Sequence, residues 1–276
     1  MAHMFGFIGN RADLGARLLE HHKDLLRVER GSYDALGWGV GFYQAGEVLL
    51  RRRPIDDRDV INLADSLENV RTDVLLGHVR HATTGQLRTE NTHPFRYRLW
   101  LWAQTGTIAG FAQLRDRLFD SQPAFLRRNV RGDTDSELFF YLFLSFLHDA
   151  GHLDDSRATP AHVAAALRAS IALVDRLSRE EGYSSNTGDI MVSNGEHLFA
   201  VHRGGTMAMR ELRGRNDVEE LIGSDAKRQL RVPSIESTHF SVIASGIDHI
   251  PAGWTGVADR TIVTLTRTDD PLLEPL

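Results

Sequence analysis

Apolar positions follow alternating or buried-strand patterns along residues 4–9, 38–44, 47–53, 74–82 and 98–106. The same patterns return along 188–193, 197–203, 207–212, 239–245 and 261–266. Each predicts a β-strand. Asn194-Gly195, between two of these runs, predicts a hairpin because both residue types tolerate positive φ. Helical spacing covers 11–27, 57–68, 110–119, 134–149 and 160–181. In the last, Val163, Leu167, Ile171, Val174 and Leu177 share one face; Thr159 is placed to cap the start, Pro160 suits the first turn, and Gly182 can end it. The polar segment 150–158 predicts an exposed loop. Strands, a block of helices, then strands again argue for an α+β fold with antiparallel sheets rather than a doubly wound one. No linker, repeat or low-complexity tract divides the chain, so a single domain over 1–276 is expected.

Composition narrows the chemistry. The 276 residues are 42% hydrophobic and 25% charged, with a net charge of −5, which suits a buried core and gives no electrostatic reason to expect nucleic acid. Arg51, Arg52 and Arg53 read as a solvated strand edge. No apolar run approaches the ~20 residues that span a bilayer, and no signal-peptide pattern is present, so a cytoplasmic protein with no membrane partner is expected. Cysteine is absent, which excludes disulfides and thiolate metal sites.

Four stretches could carry function. In "LLGHVRHATTGQLRTENTHPF" (75–95) a buried strand runs into Arg80, His81, Thr83, Thr84, Asn91 and His93. An arginine ending a core strand calls for a carboxylate, from a ligand or from an internal ion pair. A metal site from His78, His81 and His93 is disfavoured, because residues 78 and 81 point to opposite faces of a strand. In "WAQTGTIAGF" (102–111) Gly106 breaks a strand and its amide could serve as an oxyanion donor, but on this stretch alone an ordinary strand-to-helix turn is the better explanation. In "RGDTDSELFFYLFL" (131–144) Thr134 and Glu137 have capping-box spacing, and Asp133 and Asp135 sit where a helix dipole favours negative charge. Asp135 could instead bind an ammonium group. The glycines at 37, 39 and 41 lack dinucleotide-fingerprint spacing and point to close backbone approach, to a neighbouring sheet or the N-terminal strand.

Taken in order, "MFGFIG", "GWGVGFY", "GHVRHATTG…NTHPF", "GTIAGF", "GDTDSELF" and "VIASGIDHIPAGW" resemble a class II glutamine amidotransferase domain of the N-terminal-nucleophile hydrolase superfamily. With no synthase domain in the sequence, the chain is similar to free-standing members such as the γ-glutamyl hydrolase of ergothioneine synthesis. The resemblance implies a four-layer αββα sandwich of two stacked antiparallel sheets, and no cofactor. It implies chemistry by a cysteine at position 2, freed by loss of Met1, with its own α-amine as base. Arg80 would clamp the α-carboxylate of glutamine or a γ-glutamyl compound, and Asp135 its ammonium. Thr83 and His93 would line or support the pocket, Gly106 would supply an oxyanion amide, and Gly132 would help place Asp135. A separate protein partner or a homo-oligomer is compatible with this reading.

Three positions depart from the family pattern. Ala2 stands where the nucleophile belongs, Thr105 replaces the oxyanion asparagine of the usual His-Asn-Gly, and His81 lies at a variable position. A natural inactive relative and an engineered cysteine-to-alanine change both account for Ala2; only the former accounts for Thr105. A threonine nucleophile at Thr83, Thr84 or Thr105 is disfavoured, since none has an α-amine base.

Overall fold

The computed structural model describes residues 2–31, 36–68, 70–80, 86–155, 158–184, 186, 188–222 and 235–276. The first half runs β1 (His3–Gly9), α1 (Gly15–His21), β2 (Arg27–Glu29), β3 (Leu36–Gln44), β4 (Glu47–Asp56), β5 (Val60–Asn62), β6 (Val74–Arg80), β7 (Phe95–Tyr97) and β8 (Trp100–Gln104). Four helices follow: α2 (Phe111–Asp120), α3 (Ala124–Arg127), α4 (Asp135–Asp149) and α5 (Pro160–Glu180). The chain then makes β9 (Ile190–Ser193), β10 (Leu198–His202), β11 (Met207–Arg213), α6 (Gly214–Ile222), β12 (His239–Ser245), β13 (Thr255–Gly256), β14 (Thr261–Leu265) and β15 (Leu272–Pro275).

The strands form a seven-stranded sheet, β13-β11-β12-β1-β6-β3-β4, and a six-stranded sheet, β15-β14-β10-β9-β8-β7, with every neighbour antiparallel. Period-2 alternation sorts the side chains into layers. Met4, Ile8, Leu76 and Ile243 of the larger sheet meet Leu101, Ala103, Met191, Leu198 and Ala200 of the smaller one. On the outer faces, Phe5, Phe7 and Val242 pack against α1 and α6, while Trp102, Val192 and Phe199 pack against α2, α4 and α5. The result is the four-layer α+β sandwich of two stacked antiparallel sheets.

Local chemistry explains most boundaries. The Thr134 hydroxyl caps α4 by accepting the Glu137 amide at 3.3 Å, but Glu137 reaches past the cap to the amides of Arg131 (2.9 Å) and Gly132 (2.6 Å). At the end of α5, Gly182 at φ +81° lets the Gly182 and Tyr183 amides bond the carbonyls of Arg179 and Ser178. Thr159 precedes α5 in extended conformation, yet its side chain makes no capping bond. The hairpin after β9 is a four-residue turn with only Gly195 left-handed; Asn194 instead accepts the Glu196 and His197 amides through Oδ1.

Several expected elements differ. No helix spans 57–68: β5 pairs with β2, and a single 3₁₀ turn covers Ala64–Leu67. The spacing of Leu63, Ala64 and Leu67 suits a helix, but buried Ile61 gains more by pairing with Val28. The helix expected over 11–27 is only α1, ending before the chain extends into β2. Of segment 150–158, residues 150–155 and 158 are irregular, with Leu153 and Ala158 buried; residues 156 and 157 lie outside the described residues. The edge strand β4 exposes Arg51 and Arg53, but half-buried Arg52 donates to the Thr92 carbonyl at 3.2 Å. The β3 glycines do not face the N-terminal strand, because β6 lies between. A Cβ on Gly39 would sit 2.2 Å from the His93 carbonyl oxygen, and one on Gly41 2.9 Å from Leu101 of the other sheet.

Candidate functional site

The alternation that fills the space between the sheets turns polar at one end of it. His78 and Arg80 follow Leu76 on the inward face of β6, Ser245 follows Ile243 on β12, and His202 follows Ala200 on β10. Strand β1 runs between β12 and β6 with His3 opposite Val79; one step further, the same register brings Ala2 opposite Arg80. Gly246, at φ +74°, makes room for residue 2, since a Cβ there would lie 2.2 Å from the Ala2 carbonyl oxygen.

Arg80 is 6% exposed and donates to the Gln86 carbonyl at 3.2 Å. Burial disfavours its charge, while the carboxylates of Asp133 and Asp135 favour it. Asp135 is also buried. Its Oδ1 accepts the Ser136 amide at 2.9 Å and its Oδ2 accepts the Ile108 amide at 2.6 Å, which ties the first turn of α4 to the turn after β8. That turn holds Thr105 and Gly106, and Gly106 is exposed at φ +78° with an amide that donates to no described residue. Such a geometry suits an oxyanion donor. The Thr105 hydroxyl is turned into the fold, accepting the Asp189 amide at 2.9 Å.

His93 is buried between His78 of β6 and Phe95 of β7. It is 4% exposed, its ring lies 4.3 Å from that of His78 and 4.5 Å from that of Phe95, and neither ring nitrogen has a hydrogen-bond partner among the described residues. Burial, reinforced by His78, Arg80 and Arg52, holds its pKa well below the ordinary imidazole value. His78 Nε2 lies 3.0 Å from the Gln104 carbonyl oxygen and so donates to it, coupling β6 to the end of β8. Asn91 joins this segment to α4: its Oδ1 accepts the Asp133 amide at 3.0 Å, and its Nδ2 donates to Asp133 at 2.6 Å. Gly132 leaves the space for Asn91, because a Cβ there would lie 2.3 Å from Asn91 Oδ1. Thr83, Thr84 and His81 lie outside the described residues. Among the described residues no group of three or more His, Asp or Glu is placed to hold a metal ion, and no helix is long and apolar enough to cross a membrane.

Sequence reasoning missed a buried polar cluster beside these residues. The Asp189 carboxylate accepts from His202 Nδ1 (2.8 Å), from the Arg203 amide (2.7 Å) and from the Ser245 hydroxyl. The hydrogen bond to Asp189 raises the His202 pKa. The available signal was phase: His202 follows Leu198 and Ala200 on the inward face of β10, and Ser245 follows Ile243 on that of β12, which also carries Ser241 and His239.

Comparison with known proteins agrees with this architecture. The family model of class-II glutamine amidotransferases matches residues 25–267. The probable glutamine amidotransferase DUG3 of Saccharomyces cerevisiae is 26% identical over 257 residues, covering 87% of this chain and 71% of its own length. The other curated relatives matched are spanned over between 22% and 59% of their length. Among solved structures, a glutamine aminotransferase class-II domain protein from Silicibacter pomeroyi superimposes with a TM-score of 0.57 at 17% identity, covering 99% of this chain and 98% of its own. A predicted glutamine amidotransferase from Pseudomonas aeruginosa gives 0.56 at 19% identity, covering 96% and 98%. At those identities the structures testify to the fold, and the matched family model to the lineage. This chain belongs to the class-II glutamine amidotransferases.

Proposed function

We propose that the chain binds glutamine or a γ-glutamyl amide at the end of the inter-sheet layer, Arg80 taking the α-carboxylate and Asp135 the α-ammonium. The observation that carries this reading is the register that sets residue 2 opposite Arg80, beside a turn held by Asp135. A cation and a carboxylate at one small site suit a zwitterion, and a carboxylate–guanidinium contact gains from the low local dielectric. The exposed Gly106 amide supports placing the side-chain carbonyl of the substrate near residue 2.

With alanine at position 2 the ligand is held and not cleaved by the thiol route, because a methyl group cannot attack a carbonyl. A cysteine there would add its sulfur to the γ-carbonyl, with the α-amine of residue 2 accepting the thiol proton and passing it to the departing amine or ammonia. Water would then release glutamate from the thioester. Thr105 supports a site adapted away from that reaction, since its hydroxyl is committed to the Asp189 amide. The test is titration calorimetry of the chain with glutamine and a panel of γ-glutamyl amides, paired with glutamate-release assays of Ala2→Cys. Binding without turnover, and turnover gained on the substitution, is the expected result. No binding by either protein would reject the reading.

A further inference from the structure

The Asp189 cluster bridges the two sheets at the point where the candidate site needs them in register. Its carboxylate reaches β12 through the Ser245 hydroxyl and β10 through His202 and the Arg203 amide. Its backbone holds the turn after β8 from both directions: the Thr105 amide donates to the Asp189 carbonyl at 2.9 Å, and the Asp189 amide donates to the Thr105 hydroxyl at 2.9 Å. Gly188 permits this approach, since a Cβ there would sit 2.2 Å from the Thr105 carbonyl oxygen. On the other side, Ser245 pairs with Met4 of β1, and the next residue, Gly246, packs on the Ala2 carbonyl.

We propose that Asp189 is the positioning residue of this site: it sets the distance between the strand start that carries residue 2 and the turn that presents the Gly106 amide. Those two features lie on different sheets, and among the described residues this carboxylate is hydrogen-bonded to both sheets. A buried carboxylate with three donors is an economical device for such a link. Each donor is satisfied by it, and none of the partners can shift without leaving a buried polar group unpaired. Ser245 supplies the tie to the nucleophile strand, and Thr105 the tie to the oxyanion turn. The consequence for chemistry rests on the γ-glutamyl reading above; the bridge itself does not.

The experiment uses Asp189→Ala, Asp189→Asn and Ser245→Ala, each made in the chain as it stands and with Ala2→Cys. Hydrogen exchange is followed over residues 2–8 and 103–109. In Asp189→Ala, exchange is expected to rise about tenfold in both segments together. Asp189→Asn, which keeps an acceptor for His202 and the Arg203 amide, restores most of the protection. Ser245→Ala loosens residues 2–8 and leaves 103–109 protected, and it decides the matter if Asp189→Ala does not fold. With Ala2→Cys, Asp189→Ala is expected to lower kcat about tenfold or more while KM for glutamine changes little. Unchanged exchange in the folded variants overturns the bridge, as does loosening of residues 103–109 in Ser245→Ala. A loss carried by KM alone overturns the positioning role. An Ala2→Cys protein that neither binds nor cleaves glutamine rejects the γ-glutamyl reading, and exchange still reports on Asp189.

Discussion

The Asp135 carboxylate accepts the Ile108 amide at 2.6 Å, so the first turn of α4 and the turn bearing Gly106 are held to one another. One side chain thus combines a fixed structural bond with the negative charge proposed to meet the substrate ammonium.

Those two roles separate by substitution. Asp135→Asn keeps an oxygen for the Ile108 amide and removes the charge, so stability should fall little while glutamine affinity drops by about 10- to 150-fold. Asp135→Ala leaves a buried amide unpaired and should cost about 1–3 kcal/mol as well. Urea unfolding beside calorimetry distinguishes them; equal effects of both variants on stability would show that the bond to Ile108 carries no weight.

Restoring a thiol should restore chemistry in part. Ala2→Cys is expected to release glutamate from glutamine or a γ-glutamyl amide once Met1 is removed. Adding Thr105→Asn should raise that rate by up to ~10²–10³-fold and do nothing with Ala2 in place, because the donor acts only on an oxyanion that follows sulfur attack. Activity in the Ala2 chain matching the revertant would instead implicate another nucleophile.

Acid should weaken the fold through its buried imidazoles. His22 packs at 5.4 Å from the Trp254 ring, and burial, with His21 and Arg210 nearby, pulls its pKa from 6.5 down to about 3. Between those values the unfolded chain binds a proton that the folded one refuses, so stability falls as pH drops from 6.5 towards 3, by up to ~1.4 kcal/mol per pH unit from this group. His93 acts in the same direction. His22→Phe should flatten the dependence of urea midpoint on pH between 4 and 6; an unchanged slope would exclude His22 as the source.

Gly246→Ala tests the seat of residue 2. A left-handed φ of +74° costs a side-chain-bearing residue ~1–2 kcal/mol, and the new Cβ would meet the Ala2 carbonyl oxygen at 2.2 Å. A fall in thermal midpoint with loss of glutamine binding is expected, and a variant as stable as the parent would show that the Ala2 backbone is not seated there.

Much of this was legible in the sequence because it is written in local periodicity. The near-continuous apolar run of Met4, Phe5, Phe7 and Ile8 marks β1, and the spacing of Val163 through Leu177 marks α5. Arg80, Asp135 and Gly106 stand out as a cation, an anion and a turn glycine next to apolar runs. Contacts that depend on distant partners were not legible. The three residues of β5 pair with β2 about thirty positions earlier, and their own spacing resembles a helix. Asp189 meets Ser245 from 56 positions away, and nothing near either residue announces the other. Alternation says that two faces exist, while only the assembled sheets say which one meets a site.

The place of β1 in its sheet governs how the protein is made. Its neighbours are β6 and β12, so Met4 pairs with His78 on one side and with Ser245 on the other. Strand β1 must therefore wait for residues 239–245 before its hydrogen bonding is complete. Closing a loop that long costs only a few RT more than a short one, but pairings of such separation form late and slowly. An N-terminal fragment, however long its own helices, would present residue 2 on an unpaired edge. The site is completed only when β12 docks beside β1.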